Sequence, residues 1–171
     1  MTELRYNSPI GELLLIADKG GLVYCNWIEE ICEGKRDKIL KQQPVFTEDS
    51  HDIQVLNSAK RQLEEYFAGK RFDFVIPLFL IGTDFQIKVW KALLEIRYGE
   101  TVPYKKIAET SGTPKGYQAV AQACGANPIS IIVPCHRVVA FHGGIGGYTG
   151  GIDKKITLLN LESQVLKPIE T

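Results

Sequence analysis

The sequence has no apolar run near the roughly 20 residues a membrane-spanning helix needs, and residues 1–11 lack the hydrophobic core of a secretion signal. It has no Cys-x-x-Cys pair. Its three histidines, His51, His136 and His142, stand at no zinc-finger spacing from its four cysteines, Cys25, Cys32, Cys124 and Cys135. No metal site and no cofactor are therefore expected. Without a secretion signal, the cysteines are expected as reduced thiols, in a soluble chain that spans no membrane and works inside the cell. Net charge is also missing: 20 Lys+Arg balance 20 Asp+Glu, so whole-chain charge says nothing about nucleic acid. There is no internal repeat and no low-complexity tract.

What is present is 171 residues with 44% hydrophobic content, room for one large domain or two small ones. Charge is unevenly spread. Residues 1–79 hold ten Lys/Arg against thirteen Asp/Glu, and residues 80–171 hold ten against seven, so a cationic C-terminal half could meet phosphates. Gly11 to Ala17 and Leu22 to Ile28 are β-prone runs across a Gly-containing turn, predicting a hairpin. Residues 29–47 look irregular. Ile53, Leu56, Ala59, Leu63 and Phe67 repeat at helical steps, predicting a helix over 52–67 that Gly69 ends. Phe72 to Ile76 is predicted as one more strand, closed by Pro77.

From Thr83 the pattern turns helical. Phe85, Val89, Ala92, Leu93 and Ile96 make one face of a helix capped by Thr83 or Asp84. A short helix over 104–110, a turn at Gly112, and a helix from Thr113-Pro114 to about Ala123 have a helix-turn-helix outline, with Thr113 as the cap. Gly116, Ala119, Ala121 and Ala123 make that second helix small-sided, suited to tight internal packing or to close approach to a surface. Residues 142–151 hold six glycines in ten and can approach a ligand closely, but no Gly-Lys-Ser/Thr ending makes them a phosphate loop. A last helix is expected from Asp153, turning Ile156, Leu159 and Leu161 inward.

The stretch richest in chemistry is Asn127 to Val139. Ile131 to Val133 is expected as a buried strand that Pro134 ends, delivering Cys135 at the edge of a rigid element. A cysteine attacks as its thiolate, a few per cent of a free thiol near neutrality. His136 and Arg137 follow it directly. Adjacent strand residues point apart, so convergence of the thiol and the imidazole requires a turn at Pro134.

Pro134-Cys135-His136-Arg137 resembles the active-site signature of the O6-alkylguanine-DNA alkyltransferases, or methylated-DNA–protein-cysteine methyltransferases. Thr83 to Trp90, Ile96 to Tyr104, Asn127-Pro128, and Gly146 to Gly151 followed by Leu158-Leu159 and Glu162 resemble the same family in the same order. The detailed likeness covers residues 80–163; Ser8 to Gly11 and the hairpin extend it loosely. The resemblance implies an α+β fold. Residues 1–79 would be a small antiparallel sheet with a helix, ribonuclease H-like. Residues 80–171 would be a mostly helical, winged helix-turn-helix-like domain for DNA binding and alkyl transfer.

It also implies roles. Cys135 would accept the alkyl group, His136 would act as its base through a water, and Glu162 would orient the imidazole, following triad logic. Asn127 would brace the loop before the cysteine. Tyr104 would push on the target phosphate and donate a proton to the leaving guanine. Tyr148 and Thr149 would line the guanine pocket. Arg137 is placed beside the DNA-facing residues, as a brace and not a catalyst. Thr113, Lys115, Gln118 and Ala119 would meet the minor groove of double-stranded DNA, about 6 Å wide and closed to bulky side chains. Gln118 stands where the family has an arginine that fills the space of the flipped base, which predicts weaker binding or slower flipping. Such a protein would act as a monomer, in the cytoplasm, or in the nucleus of a eukaryote. It would repair O6-alkylguanine, with O4-alkylthymine a second substrate, and be consumed by one turnover. A lesion-sensing relative without transfer would lack cysteine at 135, and a thiol hydrolase would need an oxyanion hole.

Overall fold

The computed structural model describes residues 1–30, 49–140 and 144–166. Cys32, His142 and Gly143, and the irregular segment expected over most of 29–47, lie outside the described residues. The chain folds as two compact units, Met1–Leu80 and Ile81–Thr171.

The first unit is an antiparallel sheet with the order β1-β2-β3, formed by β1 (Thr2–Ser8), β2 (Gly11–Asp18) and β3 (Gly21–Trp27). Leu13 to Ala17 of the central strand are buried on both faces, which is why this segment reads as an unbroken apolar run. Lys19 (φ 51°) and Gly20 (φ 79°) make the turn into β3. Positive φ at both central positions matches the right-handed twist of the paired strands. The buried carboxylate of Asp52 accepts the Gly20 N–H at 2.7 Å and so anchors that turn. Asp52 belongs to α1 (Ser50–Phe67), capped by the Asp49 side chain on the His51 N–H.

Two expectations for this unit need correction. The inward stripe of α1 is Val55, Leu56, Ala59, Gln62, Leu63 and Tyr66, while Ile53 is exposed. Residues 72–76 form no strand. The buried Gln62 amide occupies both backbone groups of Val75, donating to its oxygen at 3.0 Å and accepting from its nitrogen at 2.8 Å. A ladder cannot form on groups already paired. Sheet-like pairing occurs beyond Pro77 instead, where Leu22 and Leu78 bridge in parallel.

The second unit is mostly helical: α2 (Asp84–Leu94), α3 (Tyr104–Thr110), α4 (Tyr117–Gly125) and α5 (Ile152–Leu166). Thr83 caps α2 in a complete capping box with Gln86. The buried Trp90 of α2 donates its indole N–H to Ala123 O at 2.8 Å, fixing α4 against α2. A short parallel pair joins β4 (Val102–Pro103) to β5 (Val138–Val139). It holds the segment after Cys135 beside the start of α3. The whole is an α+β protein, and no helix among the described residues is long and apolar enough to cross a membrane.

Three local expectations differ here. Helix α4 starts at Tyr117, not at Thr113-Pro114. Residues 113–116 close a turn through the Gly116 N–H and Thr113 O at 2.8 Å, and the cap position is Gly116. The Thr113 hydroxyl therefore caps nothing. Residues 131–133 are turn rather than strand, with the Ile132 and Val133 N–H groups bonded back to Ser130 O and Ile129 O. On α5 the residues turned fully inward are Lys155, Leu158 and Glu162, whereas Ile156, Leu159 and Leu161 are half-buried.

Candidate active site

Cys135 begins one turn of 3-10 helix, Cys135–Arg137. Two features place it there. Ile131 takes φ 71°, a left-handed conformation that a β-branched residue adopts only under constraint. Asn127 supplies the constraint. Its buried side chain accepts the Ile129 N–H at 3.0 Å and donates to Val133 O at 2.8 Å, spanning the turn from both ends. The same amide nitrogen stands 3.2 Å from Cys135 Sγ.

Behind the sulfur, His136, Arg137 and Glu162 form a buried cluster. His136 Nε2 is 2.8 Å from Glu162 Oε1. Arg137 donates to the same carboxylate from Nη2 at 2.9 Å and from Nε at 3.0 Å, and to Ile96 O from Nη1 at 2.7 Å. The Gly99 N–H adds a further donor at 3.3 Å. Burial alone would raise the Glu162 carboxyl. The hydrogen bonds and charges of His136 and Arg137 outweigh it and hold the group well below the usual carboxylate range. An ionised acceptor requires a proton on His136 Nε2, which leaves Nδ1 as the lone-pair nitrogen. That nitrogen is buried with no hydrogen-bond partner among the described residues. Burial lowers the imidazole pKa more than Glu162 raises it, so the ring is a neutral base at physiological pH.

Burial raises the Cys135 thiol, opposed by the Asn127 hydrogen bond and the Lys155 cation. Lys155 is a buried residue beside the site that the sequence reading missed. It is fully buried on α5, donating to Val138 O at 2.6 Å and to Gly147 O at 3.1 Å. It thus ties β5 to the glycine-rich loop. Its one sequence signal is a shared helical face with Leu158 and Glu162.

The sulfur opens into a cavity of about 320 Å³ lined by Tyr104, Ala121, Cys124, Gly125, Cys135, Gly147, Tyr148 and Thr149. Burial, with the neighbouring thiols adding to it, pushes the Tyr104 phenol up to about 12, so it keeps its proton. The loop comes close enough to Tyr104 that a Cβ on Gly146 (φ 73°) would lie 3.1 Å from the ring. Thr149 is anchored to α4 through Gly125 O at 2.8 Å. Cys124, expected as packing, stands in this wall, and burial raises its thiol to about 12. Cys25 is core in β3, and both are free thiols, like Cys135.

The structure therefore gathers Cys135, Tyr104, Tyr148 and Thr149 around one cavity, with Asn127, His136 and Glu162 behind it. Lys115, Gln118 and Ala119 lie elsewhere, on a surface groove along α4 with Gly116, Tyr117 and Gln122. Ala119 and Ala121 are exposed and Ala123 is buried, so the small residues serve both an outer face and internal packing. Arg137 needs correction as a DNA-facing residue: at 6% exposure, its guanidinium is spent on Glu162 and Ile96. Thr113 is half-buried in the turn before α4. Among the described residues, no group of three His, Cys, Asp or Glu could hold a metal ion.

Both units are similar to known proteins. The family model for the 6-O-methylguanine DNA methyltransferase ribonuclease-like domain matches residues 2–80, and the model for the DNA binding domain matches residues 84–164. A methylated-DNA–protein-cysteine methyltransferase of Methanosarcina acetivorans is 45% identical over 157 residues, 92% of this chain and 95% of that protein. The crystal structure of Mycobacterium tuberculosis O6-methylguanine methyltransferase superposes with a TM-score of 0.82 at 41% identity, covering 99% of this chain and 96% of that one. The Mycobacterium tuberculosis OGT structure in complex with DNA gives 0.81 at 40% identity, covering 96% and 94%. Matched along both units and across nine-tenths of its length, the chain belongs to the 6-O-methylguanine DNA methyltransferase family.

Proposed function

We propose that this protein repairs DNA by moving the alkyl group of O6-alkylguanine onto Cys135, once per molecule. The observation that carries the assignment is the placement of Cys135 Sγ. It faces a cavity, receives the Asn127 amide, and has a neutral, oriented imidazole on the next residue.

The O6 alkyl group is out of reach in stacked DNA, so the nucleotide must be extruded, at a cost of a few kcal/mol. Lys115 in the turn before α4, with Gln118 and Ala119 on its outer face, meets the minor groove of the duplex. The target base enters the cavity between Tyr148, Thr149 and the glycine-rich loop. His136 Nδ1 takes the thiol proton through a bridging water, and Glu162 stabilises the imidazolium that results. The sulfur attacks the alkyl carbon in line. An S–C bond forms as the C–O6 bond breaks, and the electron pair departs on the guanine oxygen. Tyr104 hydrogen-bonds to the leaving base, and the proton given up by sulfur returns to guanine. The product is a thioether, which cellular thiols do not reduce as they do a disulfide, so the acceptor is used up.

The N-terminal unit is a scaffold, and the C-terminal unit carries DNA binding and transfer. The protein acts as a monomer wherever the cell keeps its DNA, in cytoplasm or nucleus. A pure lesion sensor has no use for a nucleophile at position 135. Incubation with an O6-methylguanine duplex followed by peptide mass analysis tests the proposal. One methyl group should appear on the Cys135 peptide, and none in Cys135→Ser. Binding without any gain in mass would overturn it.

A further inference from the structure

Tyr117 opens α4 and is 46% exposed. Tyr117 lines two concavities. One is the surface groove along α4 that also contains Gln118. The other is a cavity of about 400 Å³ lined by Tyr104, Lys105, Tyr117 and Ala140. Tyr104 also lines the cavity into which Cys135 opens, so one side chain borders both. A strand that delivered a base into the acceptor cavity past Tyr104 would bring its next nucleotide toward the second cavity.

The second cavity has the chemistry of a nucleotide subsite. It offers an aromatic ring, the cationic side chain of the exposed residue Lys105 and the small side chain of Ala140. Stacking rings beside cations are how proteins hold unpaired nucleotides with little regard to sequence. Gln118, the next residue, brings neither ring nor charge. Side chains one position apart on a helix diverge by about 100°, so Tyr117 can serve this cavity while Gln118 stays in the groove.

We propose that the Tyr104–Lys105–Tyr117–Ala140 cavity is a subsite for the nucleotide flanking the extruded guanine on the same strand, its base stacked on Tyr117 and its phosphate paired with Lys105. The inference rests on the reading of Cys135 as acceptor.

The test pairs protein and DNA deletions. Single-turnover transfer is measured for wild type, Tyr117→Ala and Tyr117→Phe on O6-methylguanine duplexes. The flanking nucleotide, 5′ or 3′, is either intact or abasic. At one flank, base removal should slow wild type about tenfold, the scale of one base–aromatic stack. Tyr117→Ala should cause a similar loss on the intact duplex and little further loss on the abasic one, and Tyr117→Phe should behave as wild type. Losses that multiply at both flanks, or a wild-type rate for Tyr117→Ala, would overturn the subsite. Wild-type reaction with free O6-methylguanine base is followed alongside. Absence of any methyl on Cys135 there and on the duplexes would defeat the acceptor reading instead.

Discussion

His136 Nε2 and Glu162 Oε1 share a 2.8 Å hydrogen bond between side chains that are 0% and 1% exposed. The carboxylate also carries Arg137, so the pair is part of a charge-compensated cluster. Removing one member leaves its partner buried and uncompensated. Glu162→Ala strands the Arg137 guanidinium and frees the imidazole to rotate. It should destabilise the protein by about 3–5 kcal/mol, the usual scale for breaking a buried ion pair, and slow transfer even where the protein is still folded. Urea denaturation and single-turnover kinetics check both effects. A loss below the range of exposed pairs would show the cluster to be inessential.

Stability should fall with acid in two stages. The folded pKa of His136 lies below its unfolded value near 6.5. Between the two, the unfolded chain binds more protons, so stability is complete above about pH 6.5 and declines as pH drops beneath it. Glu162 is also held low. Its contribution is present above the unfolded carboxylate value of about 4.3 and is lost further down. Denaturation midpoints from pH 8 to pH 4 should display the first decline in wild type and its absence in His136→Gln. Identical profiles would contradict a buried neutral imidazole.

Asn127→Ala removes three contacts at once. The Ile129 N–H loses the Asn127 oxygen, at about 1–3 kcal/mol for an unsatisfied buried group, while Val133 O keeps only the Cys135 N–H. The thiol loses its hydrogen bond, so the Cys135 pKa should rise further. The pH profile of iodoacetamide labelling at Cys135 should move to higher pH. A profile that stays in place would mean the amide does not act on the sulfur.

Lys155→Met tests the buried cation. It keeps the length of the side chain but abandons two carbonyls, Val138 O and Gly147 O. Lys155 also lowers the Cys135 pKa. We expect a loss of about 1–3 kcal/mol from the unsatisfied groups, together with slower labelling of Cys135 at neutral pH. Unchanged labelling would confine Lys155 to a structural role.

Gln118→Arg restores a charge to the exposed first turn of α4. Each added phosphate contact steepens the salt dependence of DNA binding by about one unit of log–log slope. Affinity for O6-methylguanine duplex and transfer rate should both increase. If neither changes, glutamine is no handicap at this position.

Local patterns along the chain determined much of the architecture. Alternation and apolar runs place the β2–β3 hairpin, helical spacing places α1 and α2, and the Thr83–Gln86 box marks where α2 starts. These features depend on neighbours a few residues away, as does the Pro-Cys-His-Arg signature that points to the nucleophile. Tertiary structure decided whatever depends on distant partners. Residues 72–76 are no strand because Gln62, ten or more positions earlier, captures Val75. Residues 131–133 are a turn because Asn127 holds both of its ends, and this turn aims Cys135 at the cavity. Lys155, read alone, is a solvated surface cation. It is buried because β5 and the glycine-rich loop present two carbonyls to it, and Glu162 is buried because His136, Arg137 and Gly99 surround it with donors. A polar side chain can be buried only where its hydrogen bonds are met, and those partners lie too far along the chain for any local pattern to reveal.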